Sequence, residues 1–215
     1  MIKAIIFDFD GVLVESVDIK TRAFRRLFEH EGKDIADMVE AYHAANTGVS
    51  RFDKFRYFYK NFLKRKLGDA EFKGLCDRFS TLVTDEVIKA PYVCGAKEFL
   101  GSNAGNFDLF ITSATPQAEI MEIAERRGMR GFFKALYGAP VKKEDAVNDI
   151  IRRFALRPAE AVYVGDALSD LNAAQSNSVP FIARVYSENK DMFDSLDCVK
   201  IKDMTDLGPA IKRFG

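Results

Sequence analysis

Short, unbroken apolar runs and helical stripes alternate along most of the chain. The first run, Ala4-Ile5-Ile6-Phe7, lacks polar alternation and predicts a strand covered on both faces. Comparable runs recur at 108–112, 135–137, 161–164 and 180–185. Between them, Ile120, Ile123 and Ala124 share one helical face, and Ala146, Val147, Ile150 and Ile151 share another. Strand and helix in alternation predict crossover units of a parallel sheet, hence an α/β fold. Residues 207–214 predict a short terminal helix.

Residues 17–88 follow another rule. Phe24, Leu27 and Phe28 make one stripe, and Ile35, Met38, Val39 and Tyr42 a second. Phe52, Phe55, Tyr59 and Phe62 continue the spacing, followed by Phe72, Leu75, Phe79, Leu82 and Val83. Steps of three and four predict helices packed on one another. Gly32, Gly48 and Gly68 fall between them as breaks. Pro91 restricts the residue before it and sets the far limit near Ala90-Pro91. The expected organisation is an α/β core from 1–16 and 91–215, with a helical bundle at 17–90 inserted after the first strand.

Composition narrows the partners. Lys plus Arg and Asp plus Glu both total 32, so zero net charge argues against a protein built mainly to grip a polyanion. One local exception runs from Arg51 to Lys66, with seven basic residues against Asp53. A solvated helix flank near an anionic small-molecule site explains it more simply than nucleic-acid binding. No run approaches the roughly 18 apolar residues a membrane span needs. Asp8 and Asp10 fall where the apolar stretch of a secretion signal would lie. Cys76, Cys94 and Cys198 form no Cys-x-x-Cys pair, which suits a reducing compartment, and the expected location is the cytoplasm. Phe occurs 19 times and Trp never, so phenylalanine must fill the cores. Those stripes leave monomer and homodimer equally open.

Candidate chemistry gathers at predicted strand ends. Asp8 and Asp10 lie two residues apart at the end of the first strand, just before Gly11. Two ionised carboxylates inside a sheet would repel and be costly to desolvate. At the open carboxyl end of a parallel sheet, where ligand sites collect, a cation can neutralise them. Gly165-Asp166-Ala167-Leu168-Ser169-Asp170 follows another buried run, and Asp166 can approach the same cation. The plainer alternatives are a surface turn for the first pair, and a helix cap with a surface residue for the second. Ser113 follows the run at 108–112, and its hydroxyl can donate to a phosphate oxygen, with Thr112 and Thr115 as alternatives. Pro116 fits the start of a helix after it.

Together, Asp8-Phe9-Asp10-Gly11-Val12-Leu13, the Ser113 region, a lysine before the next helix and Gly165 to Asp170 resemble the haloacid-dehalogenase superfamily hydrolases, in order and spacing across nearly the whole core. The helical insertion resembles the mobile cap of the phosphoglycolate-phosphatase and beta-phosphoglucomutase-like branch. Val12 and Glu15 depart from the commoner Thr and Asp of the opening motif. The resemblance implies a three-layer Rossmann-like core, Mg2+ as cofactor and a small organic phosphate as substrate. It implies Asp8 as nucleophile, Asp10 as general acid/base, and Asp8, the Asp10 backbone carbonyl and Asp166 as metal ligands. It also implies Ser113 and Lys143 as phosphate-stabilising groups, with Lys142 the alternative to Lys143, and Asp170 as a supporting carboxylate. A carboxylate at Asp10 beside Asp8 and a phosphate is expected to have raised proton affinity.

Gly48-Val49-Ser50-Arg51 resembles the substrate-recognition turn of that branch, which makes Arg51 a candidate for a second anionic group or for sugar hydroxyls. His43 and Asn46 are further polar candidates. Lys54 invites a Schiff-base reading, but charge in a basic stretch explains it more simply. The expected activity is hydrolysis of a small phosphate monoester through an aspartyl phosphate, with entrance and return hinges at 14–17 and 90–92. A sugar-phosphate mutase is the main alternative, and a non-catalytic phosphate-binding protein the other class.

Overall fold

The computed structural model describes residues 1–214. Six parallel strands form one sheet in the order β3-β2-β1-β4-β5-β6. They are β1 (Ala4–Phe7), β2 (Asp108–Pro116), β3 (Ala135–Ala139), β4 (Ala161–Gly165), β5 (Phe181–Arg184) and β6 (Val199–Ile201). Helices α5 (Ala96–Asn103), α6 (Gln117–Arg126), α7 (Lys143–Arg153) and α8 (Leu168–Ser176) connect them, with short helices α9 (Lys190–Phe193) and α10 (Leu207–Ile211) near the end. Every residue of β1 and β4 is buried, as unbroken apolar runs require when helices cover both faces. Ile5 and Phe7 belong to one apolar cluster, Ala4 and Ile6 to the other, so β1 divides its side chains between the two layers.

The expected architecture holds, with local differences. Residues 113–116 continue as strand rather than turning away after Thr112, because the chain stays paired with β3 through Pro116 and Ala139 after a register shift. The three-residue β6 was not expected; it is too short, and too polar at exposed Lys200, to show as an apolar run.

Between β1 and α5 the chain forms a helical layer from α1 (Val17–Phe28), α2 (Lys33–Ala45), α3 (Arg51–Asn61) and α4 (Asp69–Lys89). Gly32 adopts φ 101° before α2, and Gly68 precedes α4. Phenylalanines make the interior of this layer, with Phe24 and Phe79 ring centroids 4.3 Å apart and Phe28 edge-on to Phe58 at 5.3 Å. The two crossings into and out of the insertion run together. Val14 bridges Tyr92, Glu15 N–H donates to Pro91 C=O, and Val93 N–H donates to Leu13 C=O.

Candidate active site

Asp8 is the first residue beyond β1, and its N–H still donates to Val164 C=O at 2.9 Å. The residue is 3% exposed: its Oδ1 accepts from Phe9 N–H at 2.7 Å, and its Oδ2 lies 3.1 Å from Lys143 Nζ. Burial raises its proton affinity well above the ordinary carboxylate; Asp170, Asp166 and Asp10 add to the rise, and Lys143 opposes it.

Asp166 follows β4 and is buried. Tyr186 O–H donates to its Oδ2 at 2.7 Å, and Asn189 Nδ2 donates to its backbone carbonyl at 2.9 Å. Burial first, then Asp170, push this carboxyl up to about 7. Gly11, at φ +72°, makes the approach possible, since a Cβ there would collide with Asp166 Oδ2.

Carboxylate oxygens of Asp8, Asp166 and Asp170 lie within 4.8 Å of one another. Asp170 is already engaged. Its Oδ1 accepts from Lys143 Nζ at 2.6 Å and Tyr163 O–H at 2.9 Å, and its Oδ2 accepts from the N–H groups of Ala167 and Asp166 at 3.0 and 3.2 Å. That leaves Asp8 and Asp166 as the buried carboxylates with capacity for a hard divalent cation, an all-oxygen set whose uncompensated charge fits one.

Lys143 opens α7, and its ammonium sits between Asp8 and Asp170. Burial alone would favour the neutral amine, but Asp170 and Asp8 outweigh it and raise its pKa well above the ordinary lysine value. Lys142, one residue earlier, is exposed. Among the hydroxyls, Thr112 pairs with Tyr163 O–H at 2.6 Å, and Thr115 Oγ1 contacts both Lys20 and Asp10. Ser113 Oγ accepts from Thr115 N–H at 3.1 Å, which leaves its own proton to donate.

Asp10 departs from expectation. Its Oδ1 accepts from Ser16 O–H at 2.6 Å, while Oδ2 accepts from Lys20 Nζ and from Thr115 O–H at 3.2 Å. Burial pushes its pKa up, but the Lys20 charge and the hydrogen bonds from Lys20, Ser16 and Thr115 prevail and hold it below the ordinary carboxylate. Lys20 was missed in the sequence. Its position four residues before Phe24 puts it on the inward stripe of α1, and that was the available signal.

The helical insertion covers these groups. Lys20, Phe24, His43, Arg51, Lys54 and Phe79 close over Asp8, Asp10, Thr115 and Asp166, leaving a cavity of about 30 Å³, room for one or two waters. Asn46 instead turns back, its Nδ2 donating to Tyr42 C=O. The basic stretch divides by helical face: Arg51 and Lys54 are buried over the site, while Arg56, Lys60, Lys64 and Lys66 are exposed. Arg51 donates to Glu119 of α6 through two nitrogens, at 2.6 and 3.0 Å. Glu15 has a use of its own. It pairs with Arg184 at the end of β5, and Arg184 Nη1 also donates to Gly11 C=O at 2.8 Å, bracing the loop that carries Asp10.

Comparison with known proteins agrees with this architecture. The chain is 28% identical over 190 residues to "Phosphorylated carbohydrates phosphatase" of Thermotoga maritima, covering 86% of this chain and 84% of that protein. It is 25% identical over 203 residues to "Phosphoglycolate phosphatase" of Synechococcus elongatus, covering 87% and 85%. Its fold matches the crystal structure of beta-phosphoglucomutase from Clostridium difficile with TM-score 0.80 at 17% identity, over 100% of this chain and 97% of that one. Residues 5–184 match the sequence model described as haloacid dehalogenase-like hydrolase, and the chain belongs to that family.

Proposed function

We propose that the protein is a Mg2+-dependent phosphatase that hydrolyses a small phosphate monoester through an aspartyl phosphate on Asp8, with residues 17–90 acting as a cap. The observation that carries the reading is the surroundings of Asp8: a buried carboxylate 3.1 Å from Lys143 Nζ, with Asp166 beside it and Asp10 two residues on. The phosphatase names of relatives aligned over most of the chain support it.

Asp8, the Asp10 backbone carbonyl and Asp166 would hold the cation, which when bound supplies the positive charge a carboxylate needs to approach a phosphoryl dianion. An Asp8 carboxylate oxygen attacks phosphorus, the P–O ester bond breaks, and the leaving oxygen takes a proton from the Asp10 carboxylic acid. Water then attacks the acyl phosphate while the Asp10 carboxylate takes its proton, releasing phosphate and regenerating Asp8. Ser113 O–H and Lys143 donate to the phosphoryl oxygens as charge develops. Lys20 favours Asp10 in its ionised, base form; Lys20 belongs to α1, so a tilt of the cap lifts it away and lets Asp10 take up the proton that the first step needs.

A phosphate-ester panel with Mg2+ and product identification tests this. Asp8→Asn is expected to lower phosphate release by about a thousandfold or more, and Lys143→Ala by about a hundredfold or more, with Lys142→Ala close to wild type. Phosphate release unchanged in Asp8→Asn defeats the reading. Sugar-phosphate interconversion without net phosphate release identifies a mutase instead.

A further inference from the structure

Arg51, the guanidinium that faces the cavity over Asp8, is neutralised by its own surroundings. Its Nη2 donates to Glu119 Oε1 at 2.6 Å, and its Nη1 donates to Glu119 Oε2 at 3.0 Å and to Ser80 Oγ at 2.7 Å. The Phe79 ring centroid lies 4.4 Å from Cζ. Arg51 is 5% exposed and Glu119 8%, and Ser80 O–H also donates to Glu119 Oε2 at 2.7 Å. A bidentate pair of this kind satisfies the guanidinium fork and cancels its charge. Drawing Arg51 onto a substrate anion would leave Glu119 buried and unpaired, which is strongly unfavourable.

The other cations beside the cavity offer little more to an anion. Lys20 is paired with Asp10. Lys54 is 1% exposed with its Nζ 2.7 Å from His43 Nδ1, and burial favours its neutral form. His43 Nε2 is buried without a partner among the described residues. The space left for a leaving group therefore holds hydrogen-bonding groups without a free guanidinium.

We infer that Glu119 determines specificity: by holding Arg51 it withholds a cation from the leaving group, so the site favours phosphate monoesters with uncharged, hydroxylated leaving groups over those bearing a carboxylate or second phosphate. The inference rests on the phosphatase reading and narrows its substrate class. Glu119 acts through Arg51 and is a positioning residue.

The test compares kcat/KM for two matched pairs of esters, 2-hydroxyethyl phosphate against 2-phosphoglycolate and glucose 6-phosphate against 6-phosphogluconate. Wild type is expected to favour the uncharged member by about tenfold or more in a pair that it turns over. Glu119→Gln frees Arg51 and is expected to move that ratio about tenfold or more toward the carboxylate-bearing member. The double variant Arg51→Gln/Glu119→Gln, which removes both charges together, is expected to keep the wild-type ratio. A loosened contact between cap and core would slow both members alike and leave the ratio unmoved. Wild-type preference for the carboxylate, an unmoved ratio in Glu119→Gln, or selective loss of the carboxylate-bearing member in the double variant overturns the inference. So does activity confined to other esters, which leaves the phosphatase reading standing; only absence of Asp8-dependent release from every ester defeats that reading.

Discussion

Lys54 has its Nζ against a histidine nitrogen, with no carboxylate among the described residues paired to it. Burial first, then the neighbouring Lys20, lower its pKa well below the ordinary lysine value, with Asp10 opposing. The unfolded chain keeps this proton to about pH 10.4, so between the two values it binds more protons than the folded chain, and stability rises with pH. Lys54→Met is expected to raise stability at pH 7 by about 1 kcal/mol or more and to flatten that slope, read as urea midpoints from pH 7 to 10. Asp166 has the opposite sign. Its folded value of about 7 lies above the unfolded one, so its contribution is present in acid and is lost as pH rises through 7. Asp166→Asn should therefore remove that loss in metal-free protein; on the proposed metal role, Mg2+ is expected to raise the Tm of wild type at pH 8 and to leave that of the variant unchanged. An equal Mg2+ shift in the variant would put the cation elsewhere.

Among the elements, the end of α4 is held by one side chain. Arg127 Nη1 lies 2.8 Å from each of the carbonyl oxygens of Val87, Ile88 and Ala90, and its Cζ lies 4.4 Å from the Tyr92 ring centroid. These carbonyls sit where a helix runs out of its own donors, so a core residue closes the last turn of the cap. Arg127→Ala is expected to cost about 1–3 kcal/mol and to speed amide exchange at residues 87–93, measured by mass spectrometry. Unchanged exchange there would mean that the Val14–Tyr92 pairing alone fixes the return crossing.

At the scale of the whole molecule, the cavity over Asp8 has room for one or two waters, less than a phosphate ester needs. On the proposed reading, the helical layer and the core separate to admit the ester, bending where the two crossings pair. His43, 2% exposed in the closed arrangement, reports on this. Diethyl pyrocarbonate should modify it in free enzyme and modify it several-fold more slowly with Mg2+ and orthovanadate present, as mapped by peptide mass. A His43 equally protected in both, during active turnover, contradicts the opening.

Local pattern was enough for most of the architecture. Unbroken runs marked five strands because a parallel sheet is covered on both faces, and three-and-four spacing marked the helical layer because one face of each helix is buried. The Asp-x-Asp-Gly and Gly-Asp segments were legible because loops at strand ends carry their chemistry in consecutive residues. By itself, then, the sequence determined the alternating core, the inserted helices and the acidic strand ends. Only the tertiary structure decided which charges meet: Lys20 on Asp10, Arg51 on Glu119, Tyr186 on Asp166 and Glu15 on Arg184. Those pairs join residues up to 169 positions apart, and proton affinity depends on the distance and dielectric between charges, which no local period encodes.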